Sequence, residues 1–566
     1  MKDNRNMILA IVLAGIILFG WPFLVDKFFP SATQPSTRVE NGQVVANPQP
    51  EADPTADTPR ALRSRAVVLA ETPRVRIDTP RLQGSINLQG ARIDDLTLTR
   101  YNETVADNSP PIRLFSPGGA AGAYFAGFGW TGEGLTPPDG NTVWSASAPV
   151  LRQGQPVTLS ATSGGQRYQI QLSIDDGYMF TARQTVGNGG AGAVAVQTYG
   201  YLSRADIGSD KDSWTIQVGP MWVANGAAEY GINYDDVTEG AQSVSTTGGW
   251  AGFTDHYWLA ALIPDQGRAA QLRFRPGANG GYQADYRTAA PTILQPGKAV
   301  TQTARLFAGA KEVDLLDRYE DQENVVFFDK AIDWGWFEIV EKPIFYLLDW
   351  LFRAVGNFGV AIILLTFIIR GLMFPIAQKQ FASMAGMRVV QPKMKALQER
   401  YKDDKAQLQQ EMLKLYKEEK VNPLAGCLPL LLQIPIFYAL YKVLLLTIEM
   451  RHQPFALWIK DLAAPDPLTP VNLFGLLDFA PPAFVAIGVL PILVGVTMWM
   501  QFKLNPQPMD EIQKQVFGLM PWILMFVMAP FAAGLQLYWA TTNILTIAQQ
   551  KWLYSRHPGL KEAPAK

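Results

Sequence analysis

Apolar residues in this chain gather into runs of near-membrane length at its extreme N-terminus and beyond about Trp334, and that segregation limits what it can fold into more than any motif does. A helix needs roughly 20 apolar residues to cross a ~30 Å hydrocarbon layer. Met7 to Val25, "MILAIVLAGIILFGWPFLV", is preceded by Lys2 and Arg5 and reads as a secretory signal or as a retained anchor. Its exit, "WPFLVDKFFP", has aromatic and charged residues suited to a membrane interface and no small-x-small cleavage pattern, which favours the anchor.

The middle is a different material. Ser31 to Arg60 is rich in Pro, Thr, Ala and Asn with little to bury, so residues 30–65 are expected to form a disordered linker. From about Ala66 the period becomes two. In "YQIQLSIDDGYMFTARQTV", Tyr168, Ile170, Leu172 and Ile174 alternate with polar residues, and Asp175-Asp176-Gly177 marks a hairpin turn. "ARIDDLTLTRY" repeats the pattern through Ile93, Leu96 and Leu98. Short strands with Gly-rich turns predict an antiparallel β-sandwich over 66–330 that ends in a helix near "KEVDLLDRYEDQ".

Trp334 to Val355 predicts an interfacial amphipathic helix (331–356), with Ile339, Val340, Pro343, Leu347 and Leu351 on roughly one side. Five spans are expected after it: 357–375, 423–447, 483–503, 517–530 and 531–552. With the anchor at 1–29 the total is six. Ten basic residues lie in the segment after the first of these five, among them Lys393, Lys395, Arg400, Lys402 and Lys405, so 376–422 is placed in the cytoplasm. Alternation then puts the loop 448–482 and the β-domain in the periplasm, the loop 504–516 and the tail 553–566 inside, and both termini inside. The fold class is a multi-domain membrane protein: an α-helical bundle of six transmembrane helices, a periplasmic antiparallel β-sandwich and a cytoplasmic helical hairpin. That hairpin rests on an apolar stripe of Met387, Val390, Met394, Leu397 and Tyr401, then Leu408, Met412 and Leu415, with Asp404 and Gln407 as a capping pair.

"LLTFIIRGLMFP", Leu364 to Pro375, places Arg370 inside an apolar run that continues beyond it. A charge at that depth costs at least ~3 kcal/mol unless something offsets it. The five later spans contain no Asp or Glu, so an ion pair between them is excluded and a proton relay is disfavoured. They do offer neutral polarity: Thr366, Gln433, Thr497, Gln501, Gln536, Thr541, Thr542, Asn543 and Thr546. These point to a hydrated pocket open to the cytoplasm with Arg370 as its fixed positive charge. Lys442, near the end of its span, is expected to snorkel outward. A lone cysteine, Cys427, and three scattered histidines leave no disulfide framework and no metal-ligand spacing, and His256 beside Asp255 has no nucleophile motif to serve. A net charge of -1 does not point to nucleic acid.

"TFIIRGLMFP", "MRVVQPKMKALQERY", "EKVNPLAGCLPLLLQIPIFYALY", "PFALWIKDL", "LPILVGVTMWMQ" and "GLQLYWATTNILTIAQQ", in this order, resemble the YidC-type membrane protein insertases of Gram-negative bacteria. The resemblance implies an inner-membrane protein without enzymatic activity or cofactor, which transfers hydrophobic segments of nascent proteins into the bilayer. It implies that Arg370, with Thr366 beside it, sits in a hydrophilic groove, and that clients slide along a greasy face where this chain has Ile434, Phe437, Met498, Val527 and Tyr538. The implied partners are nascent membrane proteins, lipid, the Sec translocon, and ribosomes met through the cytoplasmic loops. The β-domain is expected to be similar to a sugar-mutarotase supersandwich, although no sugar-processing residues stand out. Two departures are Trp539, where the family has a second tyrosine, and an added apolar stretch, "VNLFGLLDFAPP". Two other classes compete. A solute or ion transporter would need broken paired helices or a titratable relay. A membrane-anchored carbohydrate-binding protein would use the spans only as a tether.

Overall fold

The computed structural model describes residues 37–40, 43–46, 63–208, 216–277, 280–401, 404–419, 428–474 and 476–556, the last range without 478, 480, 482–484 and 505–510. The expected N-terminal anchor, Cys427 and Lys402 lie outside these residues. The chain divides into two compact units, 1–47 with 334–445 and 450–566, and 48–333 with 446–449. Within the expected disordered linker, Thr37–Glu40 and Gln43–Ala46 pair antiparallel, a departure that four residues per strand gave too little pattern to reveal.

The β-rich unit is built on two long sheets. One has nine strands and runs from Ala227–Glu229 through Trp250–Thr254, Ala299–Ala310 and Met179–Asn188 to Ser145–Ala146. The other has eleven and runs from Gln242–Thr247 through Val194–Arg204 and Arg92–Asn102 to Val150–Leu151. The hairpin lies where the alternation places it: Gln166–Ile174 pairs antiparallel with Met179–Asn188, and Tyr168, Ile170, Leu172 and Ile174 are buried. Asp175 closes the turn by accepting the amides of Gly177 at 2.9 Å and Met179 at 3.0 Å. Gly177 is required there, because a Cβ would stand 2.2 Å from the Tyr319 hydroxyl of the incoming helix. In Arg92–Asn102 the buried Ile93 and Leu96 are an odd number of residues apart, which a strictly pleated strand cannot accommodate. The register accordingly shifts opposite Ser85/Ile86, and Asp94 and Asp95 turn inward to pair with Arg74 and Arg65.

Ten helices are described: α1 (Arg65–Ala70), α2 (Tyr234–Glu239), α3 (Val313–Asp321), α4 (Glu338–Val355), α5 (Phe358–Arg400), α6 (Lys405–Glu418), α7 (Leu428–Leu446), α8 (Val489–Leu504), α9 (Glu511–Met528) and α10 (Ala533–Arg556). At the α4–α5 corner Gly356 takes a left-handed conformation and Asn357 caps α5 through the Val360 amide. Of the stripe expected to face the membrane interface, Ile339 is exposed and Leu351 is buried. Helix α4 buries Glu341, Phe345, Leu348 and Leu351 and leaves Trp336 before it, and Ile339, Tyr346 and Trp350 within it, exposed. Helix α5 does not stop near Pro375. It continues through Pro375 and Pro392 to Arg400, so the first arm of the expected hairpin is one piece with the span. That arm packs on α6 through Val390, Met394 and Leu415, Asp404 caps α6, and Lys393 pairs with Glu419.

Among the described residues one helical stretch, Phe358–Gln378, is both long and apolar enough to cross a membrane; Gln433–Leu446, Val489–Leu504 and Gly518–Met528 are shorter apolar helices. In this unit α10 packs against α5 and α8, and α9 packs against α8. Lys442 does not snorkel: it is 3% exposed, with its Nζ at the Gly335 turn.

Candidate functional site

Helix α5 carries Thr366 and Arg370 one turn apart on the side toward α10. Thr366 is fully buried and donates to the Ile362 carbonyl of its own helix at 2.7 Å, so its polarity is spent within α5. Arg370 is half-buried and makes no ion pair among the described residues; its guanidinium is not one of the groups sealed from solvent without a partner. It lies within electrostatic reach of Tyr538 on α10. The Tyr538 hydroxyl in turn accepts the Gln433 amide of α7 at 2.5 Å. Three helices thus bring one cation, one phenol and one amide together, with no carboxylate among them.

The other expected groove residues are used differently. Gln501, near the end of α8, is half-buried. Gln536 belongs elsewhere: fully buried, its Nε2 donates to the carbonyls of Met528 at 2.9 Å, Ala529 at 3.2 Å and Phe531 at 2.8 Å. It therefore satisfies the open carbonyls where α9 ends and α10 begins. Thr497 and Asn543, weighed as groove-lining polarity, join α8 to α10 by a 3.1 Å hydrogen bond. The expected greasy face is discontinuous as well. Ile434 is 56% exposed, while Phe437, packed edge-on against Trp539, and Val527 are half-buried. Met498 and Tyr538 are buried, because side chains that pack α8 and α10 into the bundle cannot also face lipid. Of the hairpin cations, Lys393, Lys395 and Arg400 are exposed.

Comparison with known proteins decides the family. Residues 350–561 match the model described as 60Kd inner membrane protein, and 74–347 match the YidC periplasmic domain. A relative from Zymomonas mobilis named "Membrane protein insertase YidC" is 49% identical over 98% of this chain and 96% of that protein. The chain belongs to the YidC family of membrane protein insertases. A YidC insertase from Methylorubrum extorquens is 43% identical over 99% of this chain and 96% of its own length. Among solved structures, an active YidC insertase aligns over 84% of this chain and 92% of its own, with TM-score 0.37 and 19% identity. The family is thus one of inner-membrane insertases, whose clients are nascent membrane proteins and whose medium is the bilayer. The motifs around Arg370 and along α7, α8 and α10 fall within the first matched region, and the second covers the two long sheets of the β-rich unit from Arg74 onward.

Proposed function

We propose that this chain inserts hydrophobic segments of nascent proteins into the inner membrane by hydrating their polar flanks around Arg370. The observation that carries the proposal is an arginine in an apolar run that, among the described residues, makes no ion pair and has the Tyr538 phenol, itself bonded to Gln433, within electrostatic reach, while the five expected spans 357–375, 423–447, 483–503, 517–530 and 531–552 contain no Asp or Glu. An arginine held at membrane depth without a counter-ion needs water, and water beside a fixed positive charge lowers the cost of drawing an acidic flank into the bilayer. The client helix itself gains free energy by entering lipid, so neither nucleotide nor covalent chemistry is required. Ile434, Phe437 and Val527 form the accessible part of the slide; Met498 and Tyr538 become reachable when α7 and α10 part around a client.

The proposed topology has six spans with both termini cytoplasmic, the β-rich unit in the periplasm, and the α5–α6 hairpin in the cytoplasm. Lys393, Lys395 and Arg400 then present positive charge to arriving ribosomes, and the Sec translocon acts alongside for larger clients. In proteoliposomes, Arg370→Ala should impair insertion of a single-span protein with an acidic translocated tail, whereas Arg370→Lys should largely preserve it. Equal insertion by wild type and both variants removes Arg370 from the mechanism.

A further inference from the structure

The apolar stretch between α7 and α8 is absorbed by nothing above. Val471, Leu473, Phe474, Leu476, Leu477 and Phe479 are all 45–71% exposed. The polar residues of the same loop point the other way. Asp461, Asp466, Thr469 and Asn472 are each no more than 7% exposed. Asp466 accepts the Trp458 indole at 2.8 Å, the Leu468 amide at 3.0 Å and the Leu490 amide at 2.7 Å, so it holds the loop onto the start of α8. Asp461 accepts the amides of His452 at 3.2 Å and Ala463 at 2.9 Å. A loop that meets water is built with its polar side chains outward; past the exposed Lys460, the four polar residues Asp461, Asp466, Thr469 and Asn472 do the reverse.

The described amides of the apolar stretch are also satisfied within the loop. The amides of Leu473, Phe474, Leu476, Leu477 and Phe479 donate to Pro470, Thr469, Leu473, Asn472 and Leu477 carbonyls at 2.9–3.3 Å, and the Val471 amide donates to Thr469 Oγ1 at 3.3 Å. Internal satisfaction of main-chain groups is what hydrocarbon demands and water does not. Leu473 and Phe474 hold left-handed backbone angles, φ 50° and 59°, which bulky residues adopt only where the surroundings impose them. From Leu462 to Gly488 there is no Lys or Arg, and the two acids are Asp466, turned inward, and Asp478, which lies outside the described residues. Both ends of the loop are tied to apolar helices, α7 and α8, so in the proposed topology the loop starts and ends at one membrane face.

We infer that Val471, Leu473, Phe474, Leu476, Leu477 and Phe479 form a membrane-inserted surface, their apolar side chains embedded in the leaflet reached by the C-terminal end of α7, the outer leaflet in the proposed topology. The occupant of this surface is lipid. The inference is independent of Arg370 and would survive the failure of the groove proposal.

The test places a nitroxide on Leu476→Cys in full-length protein carrying Cys427→Ser, reconstituted in phospholipid vesicles, with Lys460→Cys, exposed on the same loop, as reference. The label at 476 should collide more with molecular oxygen than with a water-soluble nickel chelate, and the label at 460 should show the opposite order. Phe479→Cys, also on the surface, should behave as 476 does and guards against a local failure of one variant. Chelate collisions at 476 and 479 equal to those at 460 would mean that the patch meets water and would overturn the inference. Low collision with both reagents would overturn it too, in favour of a second copy if the spectra show dipolar broadening, and of a protein partner if they do not.

Discussion

Replacing Glu449 by glutamine tests the packing around α3 through a single proton. Glu449 Oε1 accepts the amide of Val313, the first residue of α3, at 2.8 Å, and Oε2 is sealed from solvent without a hydrogen-bond partner. Burial, reinforced by the charges of Glu312 and Asp314, pushes its pKa from 4.5 up to about 8. Between those values the folded protein holds a proton that the unfolded chain has released, so stability is fully present below about pH 4.5 and falls as pH rises toward about 8. A shift of that size corresponds to about 5 kcal/mol at most, since relaxation and water entry reduce the penalty for a buried charge. Glu449→Gln keeps an acceptor for the Val313 amide and removes the charge. Hydrogen exchange of peptides covering α3 in the full-length protein reads the local opening free energy directly. Wild type and variant should match near pH 5, and the variant should be more protected by several kcal/mol near pH 9. Parallel profiles for the two proteins would show that Glu449 is ionised in the fold and would refute the assignment.

Two further substitutions address positions where the structure departs from, or adds to, the sequence pattern. Gln536→Leu strands the carbonyls of Met528, Ala529 and Phe531 and should cost about 1–3 kcal/mol in thermal unfolding; unchanged stability with lost insertion would instead return Gln536 to the groove. Gly177→Ala forces a methyl against the Tyr319 hydroxyl and should destabilise the β-rich unit by about 1–3 kcal/mol, a loss that Tyr319→Phe partly relieves; strict additivity in the double-mutant cycle would mean the two do not touch.

What the sequence made legible follows from how unambiguous each local signal is. The hairpin 166–188 could be read because period-two alternation and an Asp-Asp-Gly turn agree. The bulge in 92–102 was missed, because Ile93, Leu96 and Leu98 read as plain alternation although the first two stand an odd number of residues apart; the paired strand shows where the register shifts. The buried face of α4 was not legible, because Ile339 and Trp350 on one side are as apolar as Phe345 and Leu348 on the other. The expected span ends at Pro375, yet α5 runs on through it and through Pro392, since packing on α4, α10 and α6 outweighs the loss of two main-chain hydrogen bonds. Gln536 and Gln433 look alike in sequence, each a glutamine in an apolar helix. Only tertiary structure shows that the first serves its own turn while the second reaches Tyr538 beside Arg370.

That difference bears on how much work the arginine can do under the proposed mechanism. Had Gln433 or Tyr538 been an acid, the charge would be neutralised within the fold and silent toward clients. Unpaired, Arg370 interacts with a client carboxylate ~4 Å away by about 4 kcal/mol at an effective dielectric constant near 20. Placing one acidic side chain in the bilayer centre costs roughly 3 kcal/mol on insertion scales. The two are matched for one carboxylate and not for several, because a single cation cannot be shared among them without loss. Among single-span clients whose translocated tails carry zero to four acidic residues, the ratio of wild-type to Arg370→Ala insertion should therefore rise sharply at the first acid and flatten after it. A ratio that grows in proportion to the number of acids would point to an extended positive field instead of one charge, and a ratio independent of them would assign the arginine a purely structural part.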